Sequence, residues 1–387
     1  MYREMKITPK DHTLKIYLNC KFHSVLTNKH DKSSSNPPIK IPSYQLHTTS
    51  LVLILSQLFL ISSVHCSGVY SLDASVLCNK VPGLVPEQRR LCRAYPEAMA
   101  VVGEGAELGI EECRQQFSSR RWNCSSSENE PPLMFMTNIA SKESAFVSAA
   151  RSAGIAYAIT RACSRSDLAG CACDKSVSKS DWEWNGCSAN VNYGIKFCEN
   201  FLDAREKYSD NSQSLMNLHN NRAGRKVLRS SMKRNCKCSG VSGSCSVKTC
   251  WTSLPLMKTI GSKLMKTYER ARQVEAIRGQ RSLSAVMLKL KRSASKTEKK
   301  PSYRELVYLA ESPDYCKKNR TIGVLGTKGR QCDRNGDGLE NCRHVCCGRG
   351  YNNQVVTKRK KCDCVFHWCC HVTCKECMEL TEESSCR

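Results

Sequence analysis

The chain has 387 residues, room for two or three domains of about 100–200 residues each. It carries 27 Cys, and 60 Lys+Arg against 35 Asp+Glu give a net charge of +25. So many thiols exclude an ordinary enzyme of a reducing compartment, and with 40% hydrophobic residues the chain is not wholly disordered; a disulfide-stapled secreted protein or a multi-zinc protein remains.

Residues 51–64, LVLILSQLFLISSV, are an uncharged apolar run of 14 with Ser67 and Gly68 behind it. The 50 residues before it hold 8 Lys and Arg against 3 acids. A membrane span needs about 20 apolar residues; this run has the length of a signal-peptide core. Residues 1–66 are therefore set aside as an N-terminal extension and signal peptide. Cys20 and Cys66 leave with them, so 25 of the 27 Cys remain, an odd number that leaves one thiol over. In an oxidising compartment thiols pair with each other. The Cys-x-Cys spacings at Cys171, Cys236 and Cys362 are also closer than the usual zinc pairs, about two to four residues apart.

The remaining cysteines cluster. Thirteen lie in Cys78–Cys250, none in residues 251–315, and twelve in Cys316–Cys386. This divides the chain into a helical domain over 67–275, a basic linker over 276–302 and a cystine-rich domain over 303–387. In 143–163, Phe146, Ala149, Ala153, Ala156, Ile159 and Cys163 recur at steps of three and four, which places them on one helix face. Helical spacing continues over 195–207 (Ile195, Cys198, Leu202). Over 214–232, Leu215, Leu218 and Val227 underlie a basic, amide-rich face. Ser253 as N-cap and Pro255 in the first turn predict a further helix carrying Met257, Ile260, Leu264, Tyr268 and Ala271. The linker Lys289–Pro301 is polar, basic and ended by proline. Beyond it helical period is lost. Short strands are expected at 361–365 and 371–375, held by bridges rather than by a large core.

Three segments carry chemistry. Cys238-Ser-Gly-Val-Ser-Gly-Ser-Cys245, bracketed by Cys236 and Cys250, reads as a stapled hairpin with Ser242 at its tip if the pairs nest. A serine nucleophile is disfavoured: Ser244 stands where a nucleophile elbow has its last Gly, and the one His of the first domain is His219. An exposed hydroxyl modified by another enzyme is a further reading, and a plain loop another. Asp333-Arg-Asn-Gly-Asp-Gly-Leu-Glu340 starts like a calcium loop, but His344 occupies the twelfth position, so a turn stapled by Cys332 and Cys342 is the better account. Cys364-Val-Phe-His-Trp-Cys-Cys-His-Val-Thr-Cys374 sets Phe366, Trp368, Cys369, Cys370 and Val372 in a short hairpin with little interior, which suggests a recognition surface; a local mini-core is the alternative. Asn123-Cys-Ser125 and Asn319-Arg-Thr321 are glycosylation sequons. The positive charge lacks any nucleic-acid motif and suits extracellular anionic glycans.

Taken together, Arg121-Trp-Asn-Cys-Ser125, Met216-Asn-Leu-His-Asn-Asn-Arg-Ala-Gly-Arg225, Cys236-Lys-Cys-Ser-Gly-Val-Ser-Gly-Ser-Cys245, Lys248-Thr-Cys-Trp251, Ser312-Pro-Asp-Tyr-Cys316, Cys346-Cys-Gly-Arg-Gly-Tyr351 and Phe366-His-Trp-Cys-Cys370 resemble a Wnt secreted signalling protein. The resemblance runs from Cys78 to Cys386. It implies a mainly α N-terminal domain with stapled β-hairpins and a small disulfide-rich β-hairpin C-terminal domain. It implies a developmental ligand, not an enzyme, that grips the Frizzled cysteine-rich domain between two tips. One tip is palmitoleoylated Ser242 with Val241 and Gly243 beside it. The other is Phe366, Trp368, a vicinal Cys369–Cys370 disulfide and Val372. The family pattern further implies the bridges Cys113–Cys124, Cys163–Cys171, Cys173–Cys187, Cys236–Cys250, Cys238–Cys245, Cys316–Cys347, Cys332–Cys342, Cys346–Cys386, Cys362–Cys377 and Cys364–Cys374. Cys78 and Cys92 are then the remaining pair, and Cys198 a buried free thiol. Ser239 stands where the family usually has His. Implied partners are Frizzled receptors, LDL-receptor-related co-receptors, a membrane-bound O-acyltransferase and a lipid-carrier protein during secretion, and heparan sulfate proteoglycans, with no nucleic acid. Covalent palmitoleate and N-glycans at Asn123 and Asn319 are expected, with no metal or other cofactor, in the extracellular space and matrix.

Overall fold

The computed structural model describes residues 78–79, 81–125, 133, 139–174, 183–209, 211–278, 285–291, 300–368 and 371–387. The apolar run 51–64, Cys20, Cys66, the Cys369–Cys370 pair and most of the 276–302 linker lie outside them. Six helices of nine residues or more are described: α1 (Pro86–Ala94), α2 (Pro96–Gln116), α3 (Lys142–Ser164), α4 (Val191–Ser209), α5 (Ser212–Ser231) and α6 (Met257–Glu269). Helices α1 and α2 fall outside the stripes read from the sequence. Their signal was Pro86-Glu87 and Pro96-Glu97: proline costs nothing in a first turn, and an acid there meets the positive helix end. Among the described residues no helix is long and apolar enough to cross a membrane.

Helix α3 is the centre. The sequence suggests one apolar face, yet 19 of its 23 residues are buried. Ala, Ser and Gly dominate it, and a helix of small residues lets neighbours close in on every side. At its crossing with α2, Gly154 meets Gly105 and Gly109 backbone to backbone: a Cβ on Gly154 would stand 2.3 Å from the Gly105 carbonyl oxygen. On another side a Cβ on Gly224 of α5 would stand 2.0 Å from the Ala149 carbonyl oxygen. At the α3 N-terminus Phe117, Phe146 and Tyr268 stack edge to face at 4.9 and 5.0 Å around Phe117, contacts worth about 0.5–1.5 kcal/mol each beyond burial.

The motif Met216–Arg225 is explained by this packing. Asn220 pairs both ways with the Val307 backbone at 2.9 Å, docking the strand β6 (Val307–Tyr308) onto α5. Asn221 and a bidentate Arg225 hold Asp203 of α4 at 2.7–3.1 Å, and Arg225 also donates to Ser152 of α3. Cys198 is buried beside them, the one free cysteine among the described residues, its thiol pushed up by burial.

Among the described residues the strands form three sheets of three strands each. Strands β2 (Lys233–Cys238) and β3 (Lys248–Ser253) form a hairpin, with β1 (Glu183–Asn185) parallel to β3. Strands β4 (Arg272–Arg278) and β5 (Ala285–Leu290) pair antiparallel beside β6. In the last sheet β9 (His371–Cys386) lies between β7 (Gln331–Cys332) and β8 (Tyr351–His367). A short helix α7 (Cys342–Val345) packs against β7 and β9.

Several local expectations change. Ser253 ends β3, and α6 begins four residues later with Leu256 at the cap; Ala271 lies beyond its C-terminus. The cross-strand bond between Asn235 and the Ser253 hydroxyl commits Ser253 to the sheet. The linker expected over 276–302 holds strand instead: its first residues end β4, and Ala285–Leu290 form β5. Leu288 and Leu290 alternate with Lys289 and Lys291, a period of two, and both leucines are buried. The strands expected at 361–365 and 371–375 extend to 17 and 16 residues, because antiparallel pairing carries the hairpin far beyond its apolar tip.

Gly68–Arg387 forms one compact unit. Its cystine-rich part is tied to the helices by polar contacts. Arg330 donates to the carbonyls of Ser118, Arg120 and Arg121 at 2.7–3.2 Å, and Arg121 donates to that of His344. Buried Glu143 of α3 accepts from the hydroxyls of Tyr268, Ser312 and Tyr315 at 2.7–2.8 Å.

Gly224→Ala is expected to lower stability by about 1–3 kcal/mol or more, since the Ala149 backbone cannot yield. Gly103→Ala, with nothing within 4 Å of its added methyl, is expected to gain about 0.4–1 kcal/mol. Unfolding midpoints of the disulfide-intact variants check both.

Candidate functional site

Two stapled tips hold the residues that the sequence singled out. In the β2–β3 hairpin Cys236 faces Cys250 in register and bridges it, and Cys238 bridges Cys245. The loop between them closes with a short 3-10 turn over Val241–Gly243. Ser242 and Gly243 both take left-handed backbone, φ 54° and 77°. Glycine adopts this freely; serine does so at a cost of order 1 kcal/mol, held here by the staples and by the Gly240–Ser244 backbone bonds. Val241 is 89% exposed, and Ser242 and Gly243 are exposed with it. Among the described residues no side chain hydrogen-bonds the Ser242 hydroxyl.

The second tip ends the β8–β9 hairpin. Cys362–Cys377 and Cys364–Cys374 cross it, and a bulge with Asp363 at φ 45° lies between Cys362 and Val365. Phe366 pairs with Val372 and His367 with His371. Phe366 and Val372 are more than half exposed, and Trp368 is 94% exposed. These side chains form no mini-core; the aromatic surface faces outward. Cys369 and Cys370 lie outside the described residues.

Eleven disulfides join described cysteines: the two of the β2–β3 hairpin, the two just named, and Cys78–Cys92, Cys113–Cys124, Cys163–Cys171, Cys173–Cys187, Cys316–Cys347, Cys332–Cys342 and Cys346–Cys386. They are the non-vicinal pairs that the resemblance implies. The sulfurs of Cys332, Cys346 and Cys386 converge within 4.8 Å, but each is already bonded in a bridge. In the calcium-like loop Asp333 caps the Asn335 amide at 2.9 Å and Glu340 the Gly338 amide at 3.2 Å, so these two carboxylates serve the turn.

His219 serves the core and not Ser242. Its Nε2 meets the Glu305 carbonyl at 2.9 Å, its ring stacks on Tyr303 at 5.0 Å, and burial pushes it below its ordinary value of 6.5. Of the sequons, Asn123 is half-buried next to the Cys113–Cys124 bridge, with the Ser125 hydroxyl bonded to its side chain, and Asn319 is exposed. The sequence reading missed Glu143. Nothing in its local pattern marks it, since its partners lie up to 172 residues away.

Comparison with known proteins gives a consistent result. The model of the wnt family matches residues 80–387. The chain is 42% identical over 333 residues to Protein Wnt-2 of Drosophila melanogaster, covering 82% of this chain and 94% of that one. Among solved structures it is similar to the human complex of WLS with WNT8A: TM-score 0.56, 35% identity, 74% of this chain and 93% of the matched chain.

Two outcomes follow from the geometry. Trp368→Ala is expected to leave the unfolding midpoint unchanged within about 0.5 kcal/mol, because nothing packs on it. Below about pH 6.5 the unfolded chain takes up a proton at His219 that the folded chain refuses, so this contribution is complete above that pH and is lost as pH falls. The drop in midpoint from about pH 7.5 to about pH 5.5 is therefore expected to be smaller in His219→Gln than in the native chain.

Proposed function

The chain belongs to the Wnt family, whose members are secreted signalling ligands, and we propose that it binds the Frizzled cysteine-rich domain through an acylated Ser242 and the Phe366–Val372 tip. The observation that carries this reading is the placement of Ser242: exposed, at the left-handed apex of a doubly stapled hairpin. A palmitoleate ester there would project from a rigid support into an apolar groove. Each buried methylene contributes at most about 0.8 kcal/mol, so roughly ten of them outweigh any single side chain. The staples reduce the ordering entropy lost on binding. At the other tip, Val365, Phe366, Trp368 and Val372 offer apolar surface that a small hairpin has no interior to hide.

The remaining partners belong to the same proposal. An O-acyltransferase loads Ser242, and a lipid carrier of the kind that WLS represents for WNT8A shields the acyl chain during secretion. LDL-receptor-related co-receptors complete the signalling complex. Heparan sulfate proteoglycans retain the basic protein in the matrix, and glycans at Asn123 and Asn319 assist its folding.

Mass spectrometry of the secreted chain is expected to find a fatty acyl ester on the Ser242 peptide. Ser242→Ala removes it and weakens binding to the cysteine-rich domain by about 100-fold or more, equal to about 2.8 kcal/mol, while Ser244→Ala keeps both. Unmodified Ser242 in active secreted protein overturns the acyl mechanism.

A further inference from the structure

A second concentration of charge lies away from both tips. Arg222, Arg225, Lys226 and Arg229 of α5 line one cleft of about 270 Å³, with Ile195 and Glu199 of α4 opposite. Arg225 is buried and neutralised by Asp203, and Glu199 pairs with Lys196 at 3.7 Å. Arg222, Lys226 and Arg229 are exposed, and among the described residues no carboxylate pairs with them. Like charges one helical turn apart destabilise a helix, so this cluster works against the fold that carries it.

The cluster is also positioned. Arg222 lies 4.0 Å and Lys226 5.2 Å from the centre of the same Tyr303 ring. Arg229 donates to Asn192 of α4 at 2.8 Å. Three cations fixed by an aromatic ring and an amide, facing a single lining carboxylate, Glu199, that Lys196 already pairs, form a preorganised groove for anionic oxygens. It continues at the end of α5, where Lys263 of α6 reaches the Ser230 carbonyl at 3.4 Å and Lys233 opens the acyl-bearing hairpin. From Arg222 to Arg229 the helix advances about 10 Å, too far for one sulfate or phosphate and suited to a chain of them.

We propose that the α4–α5 cleft binds a linear sulfated polysaccharide through Arg222, Lys226 and Arg229. The inference rests on the secreted-ligand reading, which sets the protein among extracellular polyanions, and it adds a location. A planar anionic membrane fits less well. The cleft is concave and Ile195 is the one apolar residue in its lining, whereas a bilayer touches convex surfaces and rewards apolar anchors.

The test uses the full secreted chain and a heparin-derived oligosaccharide on a biosensor, across a range of salt. The variant Arg222→Gln/Lys226→Gln/Arg229→Gln is expected to bind about tenfold or more weakly, with a salt slope lower by about two to three counterions. The matched variant Lys317→Gln/Lys318→Gln/Arg320→Gln, exposed in a distant stretch of sequence, is expected to stay within about twofold. Equal losses in both variants would mean diffuse charge and overturn the proposal; so would no loss in the first. Loss of binding to phosphatidylserine vesicles with oligosaccharide binding intact would assign the cleft to a lipid surface instead. If the triple variant is not secreted, Lys226→Gln alone is expected to cost about threefold, and unchanged binding then overturns the proposal. The receptor reading is judged separately, by the Ser242 ester and by binding to the cysteine-rich domain. The cleft variant is expected to leave both intact, so the two readings fail independently.

Discussion

Everything in this fold is arranged around the burial of α3. A helix enclosed on all sides must present almost no side chain at its closest crossings, and Gly154 against Gly105 and Gly109, and Ala149 against Gly224, meet that condition backbone to backbone. The gain is dispersion contact over the length of three helices. The cost is intolerance: one methyl at these crossings has nowhere to go. The polar residues of α3 are then forced to find partners inside. Ser152 takes Arg225, Ser148 takes Asn217, and Glu143 gathers three hydroxyls from α6 and from residues 312–315. Buried polar groups left alone would be costly, so these bonds also fix which segments dock where.

Outside this core the protein is held by different means. The two stapled hairpins have little interior, and ion pairs along the longer one, such as Arg359–Glu376 and Lys360–Glu379, are largely exposed and worth little. Disulfides take over, at 236–250 and 238–245 in one hairpin and at 362–377 and 364–374 in the other. A hairpin stapled twice near its end keeps its tip in place without a hydrophobic core. That frees the tip residues to be apolar or strained. Trp368 stands in solvent, and Ser242 holds a backbone angle that serine rarely adopts.

Helix α5 joins the two regimes. Its inner side carries the amides and the buried ion pair that fasten α4, α3 and β6. Its outer side carries cations that no carboxylate among the described residues pairs. The same ten-residue motif, Met216–Arg225, thus serves assembly through Asn220, Asn221, Gly224 and Arg225, while Arg222 points a charge to solvent. His219, the residue in it most suggestive of chemistry, packs on Tyr303 and the Glu305 carbonyl, and burial disfavours its charged form.

Much of this was legible in the residues. Helical periods marked α3 to α6, and cysteine crowding marked the stapled region. The Gly-Ser loop and the aromatic run marked both tips, because turns, bridges and exposed aromatics act over a few residues. Helices α1 and α2 were announced only by their prolines and first-turn acids. The lengths of β8 and β9 were not announced, since paired strands with both faces wet carry no apolar alternation. The all-round burial of α3 and the role of Glu143 belonged to the tertiary structure alone. So did the clustering of Arg222, Lys226 and Arg229 around one tyrosine and one asparagine. Sequence determined the local elements and where the chain is stapled; which charges are buried, paired or left facing solvent was decided by contacts between segments far apart in the chain.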